Sequence, residues 1–230
     1  MRLLHESCRS LFFYINLGRI CVDNLDNNKV NIKFVIKAIL KFLLLSLGAL
    51  SGTLLIVGLA YIDISNAGII KDASYTENLQ ETLLFISSMI FIYIARKKKA
   101  DGLLLVAGFL LCMFIREWDA VFDALFHGAW KYFAIPIAVI FTYLGIRKGL
   151  NSAVGDLEEF IKSKSYDIVV LGLIIVLVVS RVFGSKSIWL LMSGPDFKYV
   201  FKSFIEEGVE LLGYMVIFVG SVRYYLENRK

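Results

Sequence analysis

The sequence predicts an all-α, polytopic transmembrane helix bundle of about six spans, and three observations carry that prediction. Hydrophobic residues make up 58% of the 230 residues and charged ones 20%, with a mean hydropathy of +0.70, more apolar surface than one soluble core absorbs. The apolar residues come in runs separated by short charged segments, which is how a bilayer divides a chain. The basic residues crowd into alternate connections between those runs, the pattern of cytoplasmic loops.

Residues 1–33 read as a cytoplasmic, interfacial segment. Leu3, Leu4, Cys8, Leu11, Phe12 and Ile15 recur at helical spacing, with Glu6, Arg9 and Asn16 elsewhere on the wheel, so an amphipathic helix lying in the interface is expected. No small-residue cleavage site follows the short apolar stretch 11–17, and it is not read as a signal peptide.

Residues 34–226 read as a single six-helix membrane domain, with spans at about 40–62, 78–95, 102–118, 129–147, 167–184 and 204–223, followed by a cytoplasmic tail at 227–230. Lys37 and Lys41 can snorkel to the headgroups at the start of the first span. Gly48 and Gly52 form a G-x-x-x-G pair that lets another helix approach closely. Pro136, inside the fourth run, should kink it, whereas Pro195 belongs to the turn signal Ser193-Gly194-Pro195-Asp196. Between the fourth and fifth spans, Glu158 and Lys162 at i, i+4 predict a short surface helix. Trp118, Trp130, Tyr132 and Trp189 fall near the outer boundary, as an aromatic belt requires.

Most of the 25 basic residues lie on one side of this alternating arrangement, above all Arg96-Lys97-Lys98-Lys99 in a very short turn. Both termini are therefore expected in the cytoplasm, in a membrane of the bacterial inner-membrane type. The net charge of +5 and the pI near 9.0 follow from those loops, and nucleic acid is not an expected partner. The lipid bilayer is, together with another copy of the chain or a second membrane protein. Cys8, Cys21 and Cys112 have neither metal spacing nor the pattern of a disulfide framework. There is no phosphate loop, dinucleotide fingerprint, H-E-x-x-H helix or G-x-S-x-G elbow.

Three apolar runs, 83–95, 103–115 and 211–222, are too short to cross. About 12 to 13 residues make roughly 18–20 Å of helix against the ~30 Å of a hydrocarbon core. Their cytoplasmic ends stop at Arg96, Asp101 and Arg223, so the missing turns come from the opposite end and bring charge with them: Glu77, Gln80 and Glu81 in the second helix, Arg116, Glu117 and Asp119 in the third, Glu206, Glu207 and Glu210 in the sixth. Ionisable groups at that depth are costly unless they face the bundle interior, pair, or line a wet cavity. A polar pocket open to the extracytoplasmic side is the expectation.

On one continuous helix through 116–131, Asp119, Asp123 and His127 fall on a single stripe that Arg116 joins, facing Glu207, Glu210 and Tyr214 of the last helix. Three chemistries suit such a stripe. Arg116, Lys131 and Arg181 can neutralise the carboxylates and merely hold helices in place. Asp123, His127, Glu207 and Glu210 have the ligand types for a divalent metal, the only cofactor the sequence suggests, and hence for a metal-dependent membrane enzyme. Arg116, Glu117, Asp119, Asp123, His127, Arg181, Glu206, Glu207 and Glu210 can instead bind or pass a small charged or lipid-like substrate. That last is the leading expectation; the metal enzyme and a non-catalytic subunit of a larger membrane complex are the alternatives.

Overall fold

The computed structural model describes residues 2–67, 74–124, 126–194 and 198–229, with side chains from residue 32 onward except that of Ala120. Among these residues every regular element is helical. In chain order they are α1 (Arg2–Ala67), α2 (Tyr75–Lys98), α3 (Leu103–Glu117), α4 (Asp119–Asp123), α5 (Trp130–Ile146), α6 (Leu150–Ile161), α7 (Lys164–Gly184), α8 (Lys186–Ser193) and α9 (Tyr199–Glu227). The chain divides into two compact units, Met1–Ser51 and Gly52–Lys230. The first is helical from Arg2; the amphipathic face expected within residues 1–33 lies almost wholly outside the described side chains. The packing and the site described below belong to the second unit.

Among the described residues three helices are long and apolar enough to cross a membrane: Ile32–Asn66, Tyr75–Lys98 and Lys164–Gly184. A fourth crossing is available if α5 and α6, bent by 97° at their junction, count as one broken span. The helices α3 and α9 are less plain for the reasons visible in the sequence: α3 has only 15 residues, and α9 opens with Lys202, Glu206, Glu207 and Glu210.

The middle of the unit is α9, packed between α2 and α7; α2 in turn packs on α3, and α3 on α5. With α2 and α9 running parallel and the α2–α3 and α7–α9 pairs antiparallel, the start of α2, the end of α3, the end of α7 and the start of α9 come to one end of the bundle. The other end gathers the end of α2, the starts of α3 and α7, the end of α9 and the surface helix α6. There Phe160 of α6 packs edge-on against both Phe91 and Tyr224, with ring centroids 5.2 and 4.9 Å away. All three are buried.

The close crossing runs between α7 and α9. A Cβ on Gly172 would collide with the Gly213 carbonyl and Ile217, and one on Gly213 with Val176, so the two backbones touch because both residues lack one. Gly48 and Gly52, expected to admit a close helix, show no such close contact among the described residues. Gly48 belongs to the first unit, and a Cβ on Gly52 would stand an ordinary 3.8 Å from Met215 Sδ. A G-x-x-x-G spacing permits a close approach but does not supply the partner. Pro136 lies within α5 without ending it.

The start of α2 is fixed from outside. Asp63, buried near the end of α1, accepts from Tyr75 N at 2.9 Å, Thr76 N at 3.0 Å and Thr76 Oγ1 at 2.6 Å. Ser74 accepts from Glu77 N at 3.2 Å. Together they satisfy the exposed N–H groups of the first turn, so the polar stretch Glu77-Asn78-Leu79-Gln80-Glu81 starts the helix as expected. At its other end Lys99 adopts the left-handed conformation (φ 58°), its N–H closing on the Ala95 and Arg96 carbonyls, and the chain turns directly into α3.

Candidate functional site

The ionisable residues of the α2-start, α3-end, α7-end and α9-start gather at one end of the bundle. Glu117 leads: its Oε1 receives the Tyr214 hydroxyl at 2.6 Å and lies 2.5 Å from Arg116 Nη2. Tyr214 is fully buried, so a charged acceptor across the helix interface replaces the water it has lost.

One turn earlier on α9, Glu210 is 5% exposed. Its Oε1 lies 3.0 Å from Ser180 Oγ and 3.1 Å from Arg181 Nη2. Both donors follow the π-helical turn Ile175–Val179. That turn inserts one residue into α7 and rotates what comes next by about a quarter turn relative to a plain α-helix. Ser180 is thereby directed inward, where it is fully buried, and its Oγ also meets the Val176 carbonyl at 2.6 Å.

Further up α9, Glu206 pairs with Lys202 at 2.6 Å, both largely covered. Glu207 has no cation partner among the described residues. Its carboxylate and its own carbonyl instead accept from Gln80 Nε2, each at 3.2 Å. Gln80 is 1% exposed, and its Oε1 meets no donor, an omission that ordinarily costs about 1–3 kcal/mol for a buried group. Glu81 accepts a hydrogen bond from the Trp118 side chain.

Of the residues expected at the site, Arg116, Glu117, Arg181, Glu206, Glu207 and Glu210 do converge on this end, from the end of α3, the end of α7 and the start of α9. Asp123 and His127 do not join them, because the single stripe expected through 116–131 is broken. The helix stops at Trp118, whose backbone (φ −85°, ψ 18°) leaves the helical range, and only the short α4 follows. Asp123 Oδ2 and His127 Nδ1 lie 2.9 Å apart, and Asp123 Oδ1 accepts from Gly128 N at 2.7 Å. Gly128 stands at φ +78°, a conformation glycine adopts without strain. The backbone bond from Gly128, and then His127, hold the Asp123 carboxyl below its ordinary range. This is a loop closure: His127 is fully exposed, and Lys131, expected as a neutralising cation, stands over the Trp130 ring at 5.8 Å.

The metal set Asp123, His127, Glu207 and Glu210 is likewise not brought together. Among the described residues no three His, Cys, Asp or Glu side chains are grouped so as to hold a metal ion. Two ligands ended in a loop and two stayed on α9.

Gln80, Glu81, Ser180 and Tyr214 belong to the cluster without having been named as site residues. Gln80 and Glu81 were legible as polar positions in the extension of α2, and Tyr214 shares the Glu207/Glu210 face by helical spacing. Nothing in the sequence marks Ser180, since its direction depends on the π-helical turn. The apolar groove between α3 and α5, lined by Leu105, Gly108, Cys112, Ala138, Phe141 and Thr142, lies elsewhere.

No known family model matches the chain, and comparison with curated proteins and with solved structures likewise yields no match.

Proposed function

We propose that this is a six-span inner-membrane protein with both termini in the cytoplasm, whose extracytoplasmic end binds or passes a small charged or lipid-like substrate. The spans are residues 32–66 and the helices α2, α3, α5, α7 and α9, with the interfacial helix before them. The 15 residues of α3 rise about 22 Å, so its crossing is completed by residues at headgroup depth. The basic turn Arg96-Lys97-Lys98-Lys99, with Arg147 and Lys148 beside it, supports the cytoplasmic assignment of the opposite end.

The observation carrying the functional reading is that four helices turn ionisable side chains toward one another at one end. Glu81, Glu117, Glu206, Glu207 and Glu210 face Arg116, Arg181 and Lys202, and the two sets do not pair one to one. A network serving only to hold helices would be expected to balance. The metal-enzyme alternative is not carried forward, since its ligands do not meet.

Two experiments test the reading. With Cys8, Cys21 and Cys112 replaced, an impermeant thiol reagent should label His127→Cys in intact cells and Arg96→Cys only after permeabilisation; the reverse overturns the orientation. Thermal unfolding of the purified chain in detergent should be titrated with sodium, potassium, methylammonium, phosphate and phosphoethanolamine. At least one should raise the midpoint saturably, since a ligand at 100 times its Kd stabilises by about 2.7 kcal/mol, and Glu210→Gln should remove the effect. A midpoint indifferent to all five sinks the proposal.

A further inference from the structure

We infer that the elbow between α5 and α6 holds one anionic phospholipid, its phosphate against Arg147 and Lys148 and its acyl chains along the outer face of α5. The inference rests on the proposed crossing by α5 and takes nothing from the substrate assigned to the opposite end of the bundle.

Gly149, at φ +105°, turns the chain, and α6 leaves α5 at 97°. A helix at a right angle to a span lies in the membrane plane, and three faces of α6 fit that position. Ala153 and Phe160 are buried against the bundle, with Asp156 accepting from Gly102 N at 2.9 Å. About a quarter turn away, Leu150, Val154 and Ile161 form an exposed apolar stripe. Asn151, Ser152, Glu159 and Lys162, also exposed, occupy the remaining face. Bundle, acyl chains and water each receive one face, the division of an interfacial helix. The elbow therefore stands at headgroup depth.

Two cations at the elbow share one carboxylate. Arg147 Nε lies 2.9 Å from Asp101 Oδ2, and Lys148 Nζ 3.2 Å from Asp101 Oδ1. One positive charge is in excess, and both side chains are nearly half exposed. A phosphodiester carries a single negative charge, and a guanidinium keeps further N–H donors for its oxygens. Directly along α5 from Arg147 the surface is hollow and apolar. An open hollow of about 390 Å³ is lined by Ala138, Val139, Thr142, Tyr143 and Ile146. A more enclosed one of about 300 Å³ shares Ala138 and Thr142 and is walled by Leu105, Phe109 and Cys112 of α3. From Ile146 to Ala138 the helix rises about 12 Å. Two adjoining furrows running from one excess positive charge match two acyl chains joined to one phosphate.

The test is the unfolding of the full chain in dodecyl maltoside, titrated with dioleoyl phosphatidylglycerol or dioleoyl phosphatidylcholine, with native mass spectrometry counting the lipid retained. Phosphatidylglycerol should raise the midpoint saturably, with one molecule retained per chain, and phosphatidylcholine should need at least ten times the concentration. Arg147→Gln with Lys148→Gln should weaken the phosphatidylglycerol effect at least tenfold, and so should Thr142→Trp, which fills both furrows and leaves the cations in place. Lys162→Gln with Lys164→Gln removes as much charge away from the elbow and should change nothing. If the Arg147 and Lys148 double variant does not fold, Thr142→Trp decides alone. Equal response to the two lipids overturns the inference, as does an effect undiminished by Thr142→Trp or equally lost in the Lys162 and Lys164 variant. Inorganic phosphate acting as well as the lipid overturns it too, and so does a dimer that Thr142→Trp dissolves, which would give the furrows to a second copy. Lipid indifference alongside the expected cysteine labelling and solute stabilisation removes the lipid site and leaves the proposed function; the converse result removes the substrate reading and leaves the lipid site.

Discussion

The two ends of the second unit use the same residue types to opposite effect. At the basic end, Asp101 is covered but its partners are not: Arg147 Nε lies 2.9 Å and Lys148 Nζ 3.2 Å away, with both cations nearly half exposed. Lys98 pairs with Glu159 and Arg223 with Glu227, at the rim, and Lys97 Nζ donates to the Arg229 carbonyl at 2.8 Å. Each cation there can turn to water if its partner is lost. At the acidic end Glu210, Gln80 and Tyr214 are inside the packing, where no water replaces a missing partner. Charge at the first end finishes helices at the surface; charge at the second is part of the core.

The comparison breaks most severely at the crossing that supports the acidic end. Gly172→Leu should push α7 off α9 and take Ser180 and Arg181 away from Glu210, at a cost of about 3 kcal/mol, the upper range for overpacking. Chemical denaturation in micelles measures it, and an unchanged midpoint would mean that the backbones do not touch. Next in size, Tyr214→Phe removes a buried hydrogen bond to a carboxylate, worth about 1.5–3 kcal/mol. The corresponding loss at the basic end, Asp101→Asn, should cost no more than about 1 kcal/mol because its partners are half exposed. Equal costs would erase the distinction between the ends.

The acid range sharpens the same contrast. Burial alone would raise the Asp101 carboxyl, but the hydrogen bonds and charges of Arg147 and Lys148 outweigh it and hold it below its ordinary value of 3.8. A carboxyl lowered in the folded state contributes stability that is fully present above the ordinary value and is lost as pH falls through the lowered one. The wild-type midpoint should therefore fall more steeply than that of Asp101→Asn below about pH 4, the two converging at the acid limit. Parallel curves would remove Asp101 from the account. The smallest effect is expected in the loop: Asp123→Asn and His127→Ala should leave the midpoint of the ligand-free chain essentially unmoved, since the pair lies at the surface.

The loop shows why the site was only partly legible. Hydropathy placed Arg116 and Glu117 at the end of α3 correctly, and the i, i+3, i+7 spacing put Glu207, Glu210 and Tyr214 on one face of α9. The same periodic argument carried through Trp118 produced a stripe of Asp119, Asp123 and His127 that does not exist, because periodicity assumes an unbroken helix. Glu117, adjacent in sequence to the stripe but off it, is the residue that meets Tyr214. The metal set failed for the same reason.

What the sequence determined by itself is local and repetitive: that the chain is helical, that several runs are apolar enough for a membrane, that basic residues favour one set of turns, and that the short runs must be completed by charge at the other end. Each of these follows from composition within one or two helical turns. Which carboxylates share a cation, which serine faces Glu210 and which glycines let helices touch were decided only by the tertiary structure. Those outcomes depend on one extra residue in α7, on a helix that ends at Trp118, and on how α7 and α9 cross, and each changes a side chain's direction without changing the hydropathy that announced it.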